Sequence, residues 1–319
     1  MAFTPGQDIL DTAIIGGGPA GLSTALGLAR HLYQVVVFDS ERYGNDAASS
    51  LHNLVTWDGK APSEFREAAR HNILDTYSTV HWEQTAVEDI VKTAEGNFRL
   101  VDAKGKTWSA RTVVLATGSE ILYPDDVLPG YSDCWASGIF ACLFCHGYED
   151  RGKASVGVLA IGKNMGPAPT LMTARMARRL ADSVTLYTNG DESTTAQLKQ
   201  AIGDLSIFKI DSRRIVRLRK AEDGAEVSLE FKSGEETTEG FLAHRPEAKV
   251  QSGFVEQLGL LLDQYGNIQV SEMTHATSVA GVFAVGDCST FLKAVAQAIA
   301  SGSLCAGGVS GYLSAQLYG

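Results

Sequence analysis

The 319-residue sequence has no run of basic residues, and its 27 Lys and Arg are outnumbered by 37 Asp and Glu. Phosphate backbones are bound by clustered cations, so a net charge of −10 argues against nucleic acid as a partner. Apolar stretches are broken by Gly, Pro or charge before they reach the roughly 20 residues a membrane crossing needs, so no membrane partner is expected. The opening residues, MAFTPGQDILD, hold no basic segment followed by an apolar core, which predicts no secretory leader and a cytoplasmic location. Five cysteines in a reducing compartment do not make a disulfide framework. Cys134, Cys288 and Cys305 read as small buried side chains.

Glycine is what the sequence has in excess: 33 residues, many beside apolar runs, as repeated tight strand-to-helix turns require. The apolar run Ala13–Ile15 enters Gly16-Gly17-Gly18-Pro19-Ala20-Gly21 and is followed by apolar residues at helical spacing. A second run, Val35–Phe38, ends at Asp39. A helix is expected near Glu64–Tyr77, antiparallel strands between Val87 and Trp108, and a buried strand at Thr112–Ala116. Past a linker at Tyr123–Gly130 the pattern repeats, with strands Val156–Ile161 and Val184–Tyr187 around a helix Pro169–Leu180. The last third carries Gly281–Asp287 and a small-residue helix from Leu292. The expectation is an α/β protein of two doubly wound, Rossmann-like domains, the first split by the second. Residues 1–118 and 246–319 form a flavin-type domain, and 119–245 an inserted nicotinamide-type domain.

The first turn has the setting a dinucleotide site needs: a strand before it, a helix after it, and an acid about 20 residues on. Gly16 permits the turn, Gly18 lets a pyrophosphate approach, and Gly21 lets the helix pack against the strand. Pro19 and Ala20 open the helix, whose N-terminus favours phosphate. Asp39 is placed to accept from a ribose.

Cys142-Leu143-Phe144-Cys145 has the CxxC spacing of a redox dithiol, read here as lying at a helix start that favours a thiolate. Three alternatives stay open: a structural zinc site, for which no second ligand pair is visible, haem attachment through the CxxCH string completed by His146, and two unreactive core cysteines. No metal is expected. Phe140 and Tyr148, with Leu143 and Phe144, suit a small apolar substrate and equally suit packing. Glu149 and Asp150 read as surface acids in a helix's first turns, where acids are favourable, or as groups tuning His146.

Over nearly its whole length the chain resembles the low-molecular-weight thioredoxin reductases. The resemblance rests on the glycine turn, on Ala116-Thr117-Gly118, on Gly281–Asp287 and on Lys293–Ala298, in that order. It implies FAD held by Gly16, Gly18, Pro19, Ala20, Gly21, Asp39, Thr117, Gly118, Gly286, Asp287, Gln297 and Ala298, and it implies a homodimer. Two departures matter. His146 stands where the family has an acid, and the second turn reads Ile161-Gly162-Lys163-Asn164-Met165-Gly166-Pro167. Asn164 replaces the middle glycine, Pro167 and Pro169 remove N–H donors, and Tyr187-Thr188-Asn189-Gly190 lacks the family's arginine pair. Arg175, Arg178 and Arg179 read as a solvated face. With these departures the chain is similar to the dithiol oxidases of gliotoxin- and holomycin-type secondary metabolism. That likeness implies catalysis by Cys142, Cys145 and His146, a small-molecule dithiol as substrate, O₂ as acceptor and H₂O₂ as product. The alternative is a thioredoxin-disulfide reductase-like enzyme using NADPH or another electron donor, and a third reading is a flavoprotein that has lost turnover and serves as a binding or self-protection module.

Overall fold

The computed structural model describes residues 9–203, 207–250 and 252–319. Most of the N-terminal stretch behind the no-leader expectation lies outside the described residues. The chain folds into two compact units: the first takes in the chain through Asp46, Lys60–Glu120 and Lys249–Gly319, and the second Ala47–Gly59 and Ile121–Ala248. The chain thus crosses between units at 120/121 and 248/249, a few residues beyond the boundaries read from sequence. Ala47–Gly59, expected in the first domain, belongs with the second unit instead. Its Leu51 is buried and its His52 faces Glu149 of that unit at 3.5 Å. Such contacts are tertiary and leave no local sequence signal.

In the first unit, strands Val80–Glu83, Val35–Phe38, Leu10–Ile15, Thr107–Leu115 and Val282–Ala284 lie side by side and parallel. Phe98–Asp102 and Val87–Lys92 extend the sheet antiparallel from Thr107–Leu115. The central strands are continuous apolar runs because helices or strands cover both faces. All four side chains of Val35–Phe38 are buried, each worth about 1.5–3 kcal/mol against exposure. The expected helix near Glu64–Tyr77 is Pro62–Leu74, begun by a proline at its first position.

The C-terminal helix, Val295–Tyr318, packs along the helix Pro19–Ala29 that follows the first turn. Small residues make this approach close. A Cβ on Gly302 would collide with the Ala20 carbonyl, and one on Gly27 would stand 2.5 Å from Ala306 Cβ. Among the described residues, no helix is long and apolar enough to cross a membrane.

The second unit repeats the scheme: Phe208–Asp211, Val184–Tyr187, Val156–Leu159, Leu242–Ala243 and Ile139–Phe140 form a parallel sheet. The helix after its glycine turn is Pro167–Ala177. An antiparallel meander, Ile215–Lys220, Val227–Phe231 and Glu236–Glu239, completes the unit. Arg175, Arg178 and Arg179 are exposed, as a solvated helix face requires. Cys134, Cys288 and Cys305 are free thiols, fully buried, with burial pushing the first two up to about 11.

Candidate active site

In the first turn, each glycine answers to a neighbour or to open space. Gly16 has φ of +119°, and a Cβ there would collide with the Ala116 carbonyl. A Cβ on Gly17 would run into the Asp39 carboxyl, and one on Gly21 into the Gly16 carbonyl. A Cβ on Gly18 would meet nothing within 4 Å, so this backbone is open to a ligand. Gly17 was missed by the spacing argument; the triple glycine was its only signal. Pro19 supplies the first helical residue, and no side chain caps that N-terminus. Its N–H groups and dipole therefore face outward as a phosphate site requires.

Asp39 is buried, 2% exposed, and its carboxylate accepts from Glu41 N at 2.9 Å and from the Tyr43 hydroxyl at 2.5 Å. Tyr43, which the sequence did not single out, lies under the Arg66 guanidinium, 3.7 Å from the ring centroid. Burial and Asp39 push the Tyr43 hydroxyl above the ordinary tyrosine range, so it stays a donor. A cleft of about 300 Å³ opens beside Asp39, walled by Arg42, Gln84 and Thr85.

Around the helix start at Val295, Gly286 has φ of +70° and its N–H donates to Ser301 Oγ at 3.0 Å. Burial raises the Asp287 carboxyl, and Lys293 Nζ donates to the Asp287 carbonyl at 2.8 Å. Thr117 and Gly118 follow the strand Thr107–Leu115, with φ of +68° at Gly118. Ala298 is buried, while Gln297 is exposed on the C-terminal helix. An open glycine backbone, an uncapped helix N-terminus and a buried carboxylate beside a cleft fit a dinucleotide cofactor. The twelve residues read as cofactor ligands all lie in this unit.

Cys142 and Cys145 are joined as a disulfide, with Cα atoms 5.2 Å apart. The segment is not a helix start. Cys145 N and His146 N both donate to the Cys142 carbonyl, at 3.1 and 3.0 Å, making a single turn. Gly147, at φ of +95°, then takes the chain out of helical space, and a Cβ there would sit 3.1 Å from Leu180. The helix dipole invoked for the thiolate is therefore absent, and Glu149 and Asp150 are not first-turn helix acids. His146 is stacked on Phe140, with centroids 5.2 Å apart. Burial, then the charge of His52, hold it below the ordinary histidine range, while Glu149 opposes them. The four apolar residues divide: Phe140 is buried and Leu143 packs on the core, whereas Phe144 is 71% and Tyr148 63% exposed. Among the described residues, no group of three or more His, Cys, Asp or Glu is placed to hold a metal ion.

The second glycine turn is filled by its own side chains. Met165 is buried, 2% exposed, and Asn164 Nδ2 donates to the Pro246 carbonyl at 2.9 Å. Pro167 occupies the first helical position and Pro169 removes a further donor. His244, to which the sequence assigned no role, anchors the strand end before this turn. Its Nε2 donates to the Ile161 carbonyl at 3.0 Å, so Nδ1 accepts from the Tyr131 hydroxyl at 2.7 Å. One correction concerns Tyr187–Gly190. Arg214 reaches this place from a later segment, its Nη1 3.5 Å from the Asn189 carbonyl.

Residues 10–302 match the pyridine nucleotide-disulphide oxidoreductase family. The chain belongs to that family. It is 42% identical to the thioredoxin reductase aclD of Aspergillus oryzae, over 96% of this chain and 97% of that one. It is 41% identical to the thioredoxin reductase tcpT of Claviceps purpurea, covering 98% and 97%. The crystal structure of HlmI superposes with a TM-score of 0.85 at 25% identity, covering 99% of this chain and 96% of HlmI. The protein is an oxidoreductase of the thioredoxin reductase type, with the family's Rossmann-like α/β fold.

Proposed function

We propose that this oxidoreductase is an FAD-dependent dithiol oxidase that closes a disulfide in a small molecule and passes the electrons to O₂. The observation that carries the reading is the contrast within the second unit. A disulfide flanked by a histidine lies in the same unit as a glycine turn occupied by Asn164, Met165 and two prolines. Electrons that do not enter at a nicotinamide site enter at Cys142–Cys145.

FAD would be held in the first unit by the Gly16–Gly21 turn, Asp39, Thr117, Gly118, Gly286, Asp287, Gln297 and Ala298, and would supply two-electron transfer between the dithiol and O₂. The chain's own residues do the rest. His146, neutral because burial disfavours its charged form, takes the proton of a substrate thiol. The substrate sulfur attacks Cys142, the Cys142–Cys145 bond breaks, and Cys145 leaves as the thiolate. The second substrate thiol gives up its proton and attacks the sulfur bound to Cys142, releasing a cyclic disulfide and the Cys142 thiolate. The net reaction is dithiol plus O₂ giving disulfide plus H₂O₂. Phe144 and Tyr148, exposed and close to the disulfide in sequence, provide apolar surface for an apolar substrate. The same proposal includes a homodimer in the cytoplasm. Leu304, Leu317 and Tyr318, exposed on the C-terminal helix, are apolar side chains a second copy could cover.

A second reading has an observation of its own. Arg214 beside Asn189 and Gly190 offers a cation where a 2′-phosphate would lie, which favours an NADPH-dependent, thioredoxin-reductase-like enzyme. The test is O₂ uptake with dithiothreitol as substrate. Wild-type protein consumes O₂ and forms H₂O₂, and Cys145→Ser falls to background; undiminished uptake by that variant removes the disulfide from the scheme.

A further inference from the structure

The segment Ser40–Asp46, which follows the strand Val35–Phe38, reaches both acids read as cofactor ligands. At Asp39, Glu41 N donates to Oδ1 at 2.9 Å and the Tyr43 hydroxyl to Oδ2 at 2.5 Å. At Asp287, from the far end of the chain, the segment passes so close that a Cβ on Gly44 would lie 3.9 Å from Oδ2. Ser40, Glu41 and Arg42 also wall the cleft of about 300 Å³ beside Asp39. Yet the segment is no part of the core: Ser40, Glu41, Arg42, Gly44 and Asp46 are exposed, and Tyr43 and Asn45 only half-buried. Glu41 is held at φ of +57°, in the left-handed region that a residue with a Cβ rarely occupies. Such a conformation persists where the surroundings over-determine it, and it gathers at ligand clamps and switch segments.

What fixes the segment is Arg66, on the helix Pro62–Leu74. Its side chain is only 13% exposed, and its guanidinium lies 3.7 Å from the Tyr43 ring centroid. Nη1 donates to Asn45 Oδ1 at 3.0 Å and Nη2 to Asp46 Oδ1 at 2.9 Å. Asp46 Oδ2 accepts in turn from Tyr43 N at 3.1 Å, closing the loop on itself. A planar fork that stacks and bonds at once is guanidinium chemistry that an ammonium does not reproduce. We propose that Ser40–Asp46 is a strap across the dinucleotide site, fastened to Asp39 by Tyr43 and to the helix by Arg66, and that its release sets the rate at which FAD leaves. The inference rests on the FAD reading of this unit and names the residues that retain the cofactor. Arg66 is a positioning residue, acting through Tyr43, Asn45 and Asp46 rather than on either acid. Each Asp39 oxygen accepts one protein hydrogen bond and keeps a lone pair for a ribose hydroxyl, so strap and cofactor share the carboxylate. Lifting the strap frees Asp39, the cleft wall and the approach to Asp287 together.

The measurement is FAD release from the intact holo-protein, followed by flavin fluorescence after dilution. Arg66→Met is expected to release FAD about tenfold faster, the loss of one charge-assisted anchor. Tyr43→Phe keeps the ring beneath the guanidinium, drops only the hydroxyl and raises the rate about threefold; it carries the test if Arg66→Met does not fold. Arg66→Lys keeps the charge and still releases fast. The double variant releases no faster than Arg66→Met alone, because one strap opens once. Release rates unchanged in Arg66→Met and Tyr43→Phe overturn the strap, whatever happens to the melting temperature of the cofactor-free protein, which is all that a structural brace would move. Rates that multiply in the double variant overturn it as well, since they describe two independent contacts. The FAD reading fails differently. A wild-type protein that neither retains FAD on purification nor takes it up contradicts that reading, whereas FAD retained with release unchanged in the variants contradicts the strap alone.

Discussion

The turn at Gly16–Gly18 and the turn at Gly162–Gly166 both leave a buried parallel strand and enter a helix that begins with proline. Their glycines do different work. In the first turn, side chains are excluded by the Ala116 carbonyl, the Asp39 carboxyl and the Gly16 carbonyl, and Gly18 alone faces open space. In the second, a Cβ on Gly162 or Gly166 would meet nothing within 4 Å, and the crowding comes from Met165 and Asn164 instead. The lesson is that open space beside a glycine marks a ligand site when the rest of the turn is glycine too, as around Gly18, and not when neighbouring side chains such as Met165 and Asn164 fill the turn. A glycine kept for its φ alone, as Gly162 is at +79°, marks only a bend.

The largest effect that sharpens this contrast is Gly21→Val. The added carbons meet the Gly16 carbonyl, which is backbone and cannot move aside, so the cost is about 3 kcal/mol or more. The purified protein is expected to melt earlier and to carry less flavin per chain by absorbance. Next comes acid. Burial lowers His244 to about 4, while the unfolded chain takes up that proton near the ordinary 6.5. His244 therefore contributes stability above pH 6.5, and loses it as pH falls through 6.5 toward 4, about 3 kcal/mol over that window. His244→Gln flattens the pH dependence of the melting temperature there; an unchanged slope removes His244 as the cause. The smallest effect is Gly166→Ala, with φ of −61° and no atom within 4 Å of the new carbon. It shifts stability by less than about 0.5 kcal/mol, and a large loss would equalise the two turns.

The first unit was readable because its signals are local. A strand, a glycine turn and an acid at fixed spacing all sit within the segment Ala13–Asp39, and the parallel pairing of Leu10–Ile15 with Val35–Phe38 follows from them. The second turn's departures, Asn164 and the two prolines, were likewise visible as letters. What stayed hidden depends on distant chain. His52 reaches Glu149 across nearly a hundred residues, and Arg214 comes to Asn189 from beyond the next strand. Tyr43 was overlooked although only four residues from Asp39, because a loop tyrosine carries no periodicity. The helix expected after Cys142 failed on one residue, Gly147, whose positive φ ends the turn.

The account's central claim is that electrons enter through Cys142–Cys145 and not through a nicotinamide. An anaerobic titration of the purified protein, followed by flavin absorbance, tests it directly. NADPH is added to one sample and dithiothreitol to another, and air is then admitted. The account predicts bleaching by dithiothreitol alone, with colour and H₂O₂ appearing in air. Rapid bleaching by NADPH would contradict it, and Arg214 would then mark a working nicotinamide site.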